Sequence, residues 1–209
     1  MSRPAGLILD FAGVLTTEVA AAMRGFDRRT GLPDGTFRAL VSEDPQGRAL
    51  YEDLERGAIT QAEWNTRTAA LLGVDSAGLL GRVLRDLRPQ PAMIAAARTA
   101  RAAGIRVGIL SNSLGPGPFD LYAGYELSAD YDAVVISQDY RLRKPDPAIY
   151  RIMLGLMELP GGDCVFVDDT AHNLPPAGKL GITTVLAQDP PGTIARIEEL
   201  FGVRLINHV

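Results

Sequence analysis

Five short stretches of this chain are apolar at nearly every position: residues 7–10, 105–110, 133–136, 164–167 and 183–186. Runs of four to six such residues, rich in β-branched side chains, read as parallel strands covered on both faces; half-exposed strands would alternate. Between them the pattern is helical. Residues 91–103 are alanine-rich, open on Pro91 and stop at Gly104, a start and stop pair suited to a helix. Residues 147–157, 171–180 (before Gly181) and 193–201 (before Gly202) read the same way. Strand and helix alternate from residue 91 onward, which predicts a doubly wound parallel sheet.

Residues 17–88 break that alternation and contain no convincing strand. Residues 48–57 read as a helix closed by Gly57. Thr60 opens another, because Thr60 and Glu63 have the spacing of a capping box, and it runs to about Leu72 before Gly73. Residues 76–87 are a further candidate. An all-helical insertion therefore interrupts the sheet just after its first strand.

Composition narrows the class. At 209 residues and 46% hydrophobic, the chain holds enough apolar side chain for a full core, as one domain or one domain with an insertion. A net charge of −4 argues against a broad nucleic-acid surface. No apolar run approaches the roughly 18 residues of a membrane span, and Arg3 is not followed by the apolar stretch of a signal peptide. The one cysteine, Cys164, excludes an intrachain disulfide and reads as a buried core thiol. The expectation is a cytoplasmic protein, monomer or homodimer, with no membrane or nucleic-acid partner. Nineteen arginines accompany only two lysines, Lys144 and Lys179, so lysine chemistry has two candidates.

Four polar segments stand at or just after predicted strand ends: Asp10 with its turn at Gly13, Ser111-Asn112-Ser113, Arg143-Lys144-Pro145-Asp146-Pro147, and Asp168-Asp169-Thr170-Ala171-His172-Asn173. Strand ends on one edge of a parallel sheet are neighbours, and ligands bind in that crevice. Asp10, Asp168 and Asp169 then repel one another unless protonated or bridged by a cation. Mg²⁺ suits one or two carboxylates plus water and phosphate oxygens. Lys144, Ser111 and the backbone amides after it suit a phosphoryl group, which gains most from positioning and electrostatics.

In this order, with the helical insertion after the first, the four segments resemble the haloacid dehalogenase superfamily over nearly the whole chain. The resemblance implies a Rossmann-like α/β core, residues 1–16 and 89–209, with an inserted helical cap, residues 17–88, that closes over the crevice. It implies a Mg²⁺-dependent hydrolase acting on a small phosphorylated molecule. Asp10 is then the nucleophile and forms an aspartyl intermediate. Asp10 and Asp168 ligate the metal through side chains and Ala12 through its backbone carbonyl, while Asp169 holds metal-bound water or orients its neighbours. Ser111, the Asn112 amide and Lys144 grip the transferring group.

Ala12 is the departure. Phosphatases of the superfamily carry a second aspartate there, which protonates the leaving group and then activates water. A methyl group does neither, and losing such a catalyst costs about 10²–10⁴-fold. Good leaving groups, a cap acid (Glu18, Asp27 or Glu43), or water positioned by Thr16 or Thr17 are the available compensations. Two other readings stay open: a non-catalytic or regulatory phosphate-binding protein, and a 2-haloacid dehalogenase, whose pattern lacks the adjacent acids seen here as Asp168-Asp169. Phosphonoacetaldehyde hydrolases also carry alanine there but need a cap lysine, and residues 17–88 contain none. His172 reads as a surface or helix-capping residue and His208 as inert. Trp64 reads as cap core, Arg24, Arg28 and Arg29 as a solvated face, and Asn173 as a local backbone-fixing residue.

Overall fold

The computed structural model describes residues 3–205, so His208 lies outside the described residues. The five apolar runs are strands: β1 (Gly6–Leu9), β2 (Arg106–Ser111), β3 (Ala133–Ile136), β4 (Cys164–Asp168) and β5 (Thr183–Leu186). They form one parallel sheet in the order β3-β2-β1-β4-β5. Strand order reverses beside β1, which puts the crevice of a doubly wound sheet at the carboxyl ends of β1 and β4.

Helices α1 (Val19–Thr30), α2 (Thr36–Ser42), α3 (Pro45–Glu55), α4 (Gln61–Leu72) and α5 (Leu79–Val83) make up the insertion. The sheet is covered by α6 (Pro91–Ala102), α7 (Leu127–Asp130), α8 (Ser137–Tyr140), α9 (Pro147–Met157), α10 (Leu174–Gly178) and α11 (Pro190–Phe201). Leu7, Leu9, Val107, Ile109, Val165 and Val167 face Met93, Ala97, Ile194 and Phe201 of α6 and α11. Ile8, Leu110 and Phe166 face Ile149, Met153 and Met157 of α9. Successive side chains still point to opposite faces, but both faces are buried, so the sequence shows no alternation. Each fully buried Val, Leu, Ile or Phe contributes about 1.5–3 kcal/mol relative to exposure. Gly108 lets α9 come close: a Cβ there would meet Met153 and Met157 at 2.9 Å. Cys164 is buried on the same side, and burial pushes its thiol up to about 11.

The insertion has its own apolar cluster, in which Trp64 is fully buried among Phe26, Phe37 and Leu54, with Phe37 and Tyr51 against its ring. The Thr60–Glu63 capping box forms as the sequence suggests. The sequence did not resolve α1 or α2; Asp27 is buried between them, where it accepts from the Gly35 and Phe37 amides at 2.9 and 3.1 Å. The helix expected over 171–180 is split into a 3₁₀ turn (Ala171–Asn173) and α10, at the point where Pro175 and Pro176 supply no N–H. The last helix starts earlier than its apolar pattern, at Pro190, because Asp189 caps it through the Gly192 amide at 2.8 Å.

The chain leaves and re-enters the sheet layer side by side. Thr16 bridges Pro89, the Thr17 amide donates to the Arg88 carbonyl at 2.8 Å, and the Gln90 amide donates to the Leu15 carbonyl at 2.8 Å. A second junction is the corner between α3 and α4. There the Gln61 carboxamide nitrogen lies 2.7–3.2 Å from the Leu114, Gly115 and Phe119 carbonyls, and its oxygen accepts from the Phe119 amide at 2.9 Å. The Glu55 carbonyl accepts from the Ser113 and Ser137 hydroxyls.

Candidate active site

β1 ends on Leu9 and delivers Asp10 into a tight turn. The Asp10 amide donates to the Val167 carbonyl at 2.9 Å, and the Asp10 carboxylate accepts from the Phe11 amide at 2.7 Å. The amides of Val14, Leu15 and Thr16 all fold back on the Phe11 carbonyl. Gly13 makes the turn possible at φ +82°, and a Cβ on it would lie 2.1 Å from an Asp169 carboxylate oxygen. Gly13→Ala is therefore expected to destabilise the protein by at least about 1–2 kcal/mol from the left-handed backbone alone, and to displace Asp169. Urea unfolding checks this; a change within experimental error would show that the turn does not have this shape.

Asp168 closes β4 and is fully buried. One oxygen accepts from the Thr170 amide at 2.8 Å; the Asn173 carboxamide nitrogen lies 3.1 Å from both. Asn173 thus holds a carboxylate rather than local backbone, and its own carbonyl is held by the Tyr150 hydroxyl at 2.7 Å. Between the acids lies Lys144, 1% exposed, with Nζ 2.8 Å from Asp10 and 2.6 Å from Asp168. Its main chain is clasped by Asn112, whose side-chain oxygen accepts from the Lys144 amide at 2.8 Å and whose nitrogen donates to the Lys144 carbonyl at 3.2 Å.

One carboxylate oxygen each from Asp10, Asp168 and Asp169 lie within 4.8 Å of one another. Burial first, then Asp168 and Asp169, push Asp10 well above the usual carboxylate range against the pull of Lys144. Burial and then Asp168 raise Asp169 as well. Burial pulls the Lys144 ammonium down, but Asp10 and Asp168 push it up by more. One ammonium thus faces three acids, two of them driven toward protonation, and the cluster fits a hard divalent cation with oxygen ligands.

The four sequence segments meet at this edge, though not equally. Asp10, Ala12, Asn112, Lys144 and Asp169 line a cleft of about 1280 Å³ between sheet and insertion, with Asp168 just behind them. Ser111 is fully buried at the end of β2, where its hydroxyl accepts from the Tyr122 hydroxyl at 2.9 Å. Tyr122 in turn packs edge-on against Phe11. Among the acids considered as replacements for the missing carboxyl, Asp27 caps α2 from within the insertion and Glu43 is exposed and outside the cleft lining. Glu18 lies at the cleft rim, 61% exposed, facing Arg24. Arg24 pairs with Glu18 at the rim, Arg28 and Arg29 pair with Asp34 and Asp86 outside the cleft lining, and Arg38, Arg48 and Arg143 line the cleft instead. His172 is exposed at the cleft edge.

The sequence does not single out Tyr51 and Glu55 of α3, yet both line the cleft. The Glu55 carboxylate pairs with the Arg143 guanidinium, and burial pushes it up to about 6 despite that partner. Tyr51 is pushed far above its usual range by burial and then by Glu55, so it stays a neutral donor. The only sequence signal is the position of Glu55 as an acid near the glycine-closed end of a helix of the insertion.

A family model described as haloacid dehalogenase-like hydrolase matches residues 4–181. The chain belongs to that family. This haloacid dehalogenase-like hydrolase is 31% identical over 95% of its length to mouse acyl-CoA dehydrogenase family member 10, and spans only 19% of that relative. It is 23% identical to a sesquiterpene phosphatase of Aspergillus oryzae, over 73% of this chain and 79% of the other. Its fold is shared with a haloacid dehalogenase family enzyme from Bacteroides thetaiotaomicron, solved as an aspartate-to-alanine variant with magnesium and inorganic phosphate. The two are 17% identical, with a TM-score of 0.65 over 88% of this chain and 94% of that one. Among the described residues no helix is long and apolar enough to cross a membrane.

Proposed function

We propose that the protein is a Mg²⁺-dependent phosphatase acting on a small phosphorylated molecule, with residues 17–88 as a cap over a core of 1–16 and 89–209. The convergence of Asp10, Asp168 and Asp169 on one point beside Lys144 carries this reading. Asp10, Asp168 and Asp169, with the Ala12 carbonyl, would hold the metal, which when bound neutralises phosphoryl charge and aligns the ester. The Asp10 carboxylate attacks phosphorus and the leaving oxygen departs; water then attacks the aspartyl phosphate and frees orthophosphate. Lys144 fixes Asp10 for attack and places positive charge where negative charge develops. Asn112 keeps Lys144 in place and presents its amide to the transferring group. Ser111 joins the grip once its hydroxyl turns from its resting contacts. The phosphate-bound neighbour and the phosphatase relative support the same chemistry.

The test is hydrolysis of p-nitrophenyl phosphate and a phosphometabolite panel with Mg²⁺. Turnover that EDTA abolishes and added Mg²⁺ restores is the expected result. Binding of a phosphate analogue with no turnover on any ester would make the protein a phosphate-binding module. Metal-independent chloride release from 2-chloropropionate would make it a dehalogenase; Asp169 opposes that, since a second acid beside Asp168 repels a carboxylate substrate.

A further inference from the structure

We propose that Glu55 is the catalytic proton donor and acceptor that replaces the carboxyl group missing at Ala12. This rests on the phosphatase reading above. The site needs one group that gives a proton to the leaving oxygen and later takes one from water, and Ala12 offers only a methyl group.

The carboxylates that line the cleft, besides Asp10 and Asp169, are Glu18, Glu52, Glu55 and Asp189. Glu18 is 61% exposed and faces Arg24. Glu52 is shared among Arg48, Arg56 and Arg143. Asp189 is committed to the α11 cap. Glu55 alone among the four is buried, with its side chain 8% exposed. It stands at the end of α3, fixed by its own carbonyl to Ser113 and Ser137. That anchor places its carboxyl against Arg143 and Asn112, the neighbours of Lys144, whose Nζ touches Asp10. The charged and titratable groups that face it are Arg143, Lys144 and Tyr51, and Glu52 shares Arg143 with it.

Burial raises the Glu55 carboxyl to about 6 against the opposing pull of Arg143, the range in which a carboxyl group serves as both acid and base. In the first half-reaction the protonated Glu55 passes its proton to the departing alkoxide as Asp10 bonds to phosphorus; the products are the alcohol, the aspartyl phosphate and the Glu55 carboxylate. In the second, that carboxylate accepts a proton from the attacking water, the aspartyl–phosphorus bond breaks, and Asp10 and protonated Glu55 are restored with release of orthophosphate.

The test compares an alkyl phosphate, whose leaving group needs a proton, with p-nitrophenyl phosphate, whose leaving group does not. Wild type, Glu55→Gln and Glu55→Asp are assayed with Mg²⁺ from pH 5 to 9. The donor role requires Glu55→Gln to lose about 10²-fold or more on the alkyl ester, with a much smaller loss of kcat/KM on the aryl ester. Glu55→Asp should recover part of the loss. In wild type, kcat/KM for the alkyl ester should fall as pH rises above about 6, because the required acid form disappears, and Glu55→Gln should lack that fall. Equal losses on both esters, or none on either, would overturn the assignment. If the variant does not fold, the wild type decides: a donor keeps the two esters within about tenfold in rate, and a steep preference for the aryl ester overturns it. If wild type hydrolyses neither ester, the phosphatase reading fails and this assignment falls with it. Turnover that Asp10→Asn abolishes but Glu55→Gln spares on both esters sinks this assignment alone.

Discussion

Asp10→Asn is expected to reduce phosphate-ester hydrolysis by about 10⁴-fold or more, the scale of losing a covalent nucleophile, while the protein stays folded. The carboxamide has the size of the carboxylate and can still accept from the Phe11 amide, as the carboxylate does at 2.7 Å. It cannot attack phosphorus. Lys144 retains its 2.6 Å partner in Asp168, so the buried ammonium is not stranded. Fold and chemistry should therefore separate: kcat/KM collapses while the urea midpoint moves little. A variant that unfolds, or one that keeps more than about a hundredth of the activity, would remove Asp10 from the centre of the mechanism.

Lys144→Met should damage both fold and chemistry. Nζ is the shared partner of Asp10 and Asp168 and also sits 5.5 Å over the Phe166 ring. Removing one member of a buried ion pair costs about 3–5 kcal/mol, because the remaining charge stays buried without compensation. Here two carboxylates are left facing a third. Asp10, already above the usual range through burial and its acidic neighbours, moves further toward the protonated form that cannot attack. Urea unfolding with and without Mg²⁺ checks this: the variant should lose about 3–5 kcal/mol without the ion and gain more from it than wild type does. A loss below about 1 kcal/mol would show that the ammonium does not hold the acids together.

Much of this was legible from residue order. Strands covered on both faces announce themselves as unbroken apolar runs, so β1 to β5 and the polar residues at their ends could be placed before any coordinates. The capping box at Thr60 was legible because it is a local exchange of hydrogen bonds. What stayed hidden depends on partners far along the chain. Glu55 meets Arg143 across 88 positions, and Gln61 grips carbonyls more than 50 positions away. No spacing rule reports such meetings. The short helices α7 and α8 carry too few residues to show a period, and the prolines after Asn173 reshaped a helix whose apolar pattern looked continuous. The burial of Ser111 beneath Tyr122 likewise depends on a loop whose path local sequence does not fix.

The corner at Glu55 and Gln61 ties the insertion to the loop after β2 and to Ser137. Detaching it would expose a carboxamide, two hydroxyls and several carbonyls that already satisfy one another. It should be among the last places to exchange amide hydrogens with deuterated water. Faster exchange is expected where Arg38, Ser42 and Arg48 line the cleft with exposed side chains. Slow exchange at the corner and faster exchange around these three residues is the pattern expected if the cleft opens from the exposed rim.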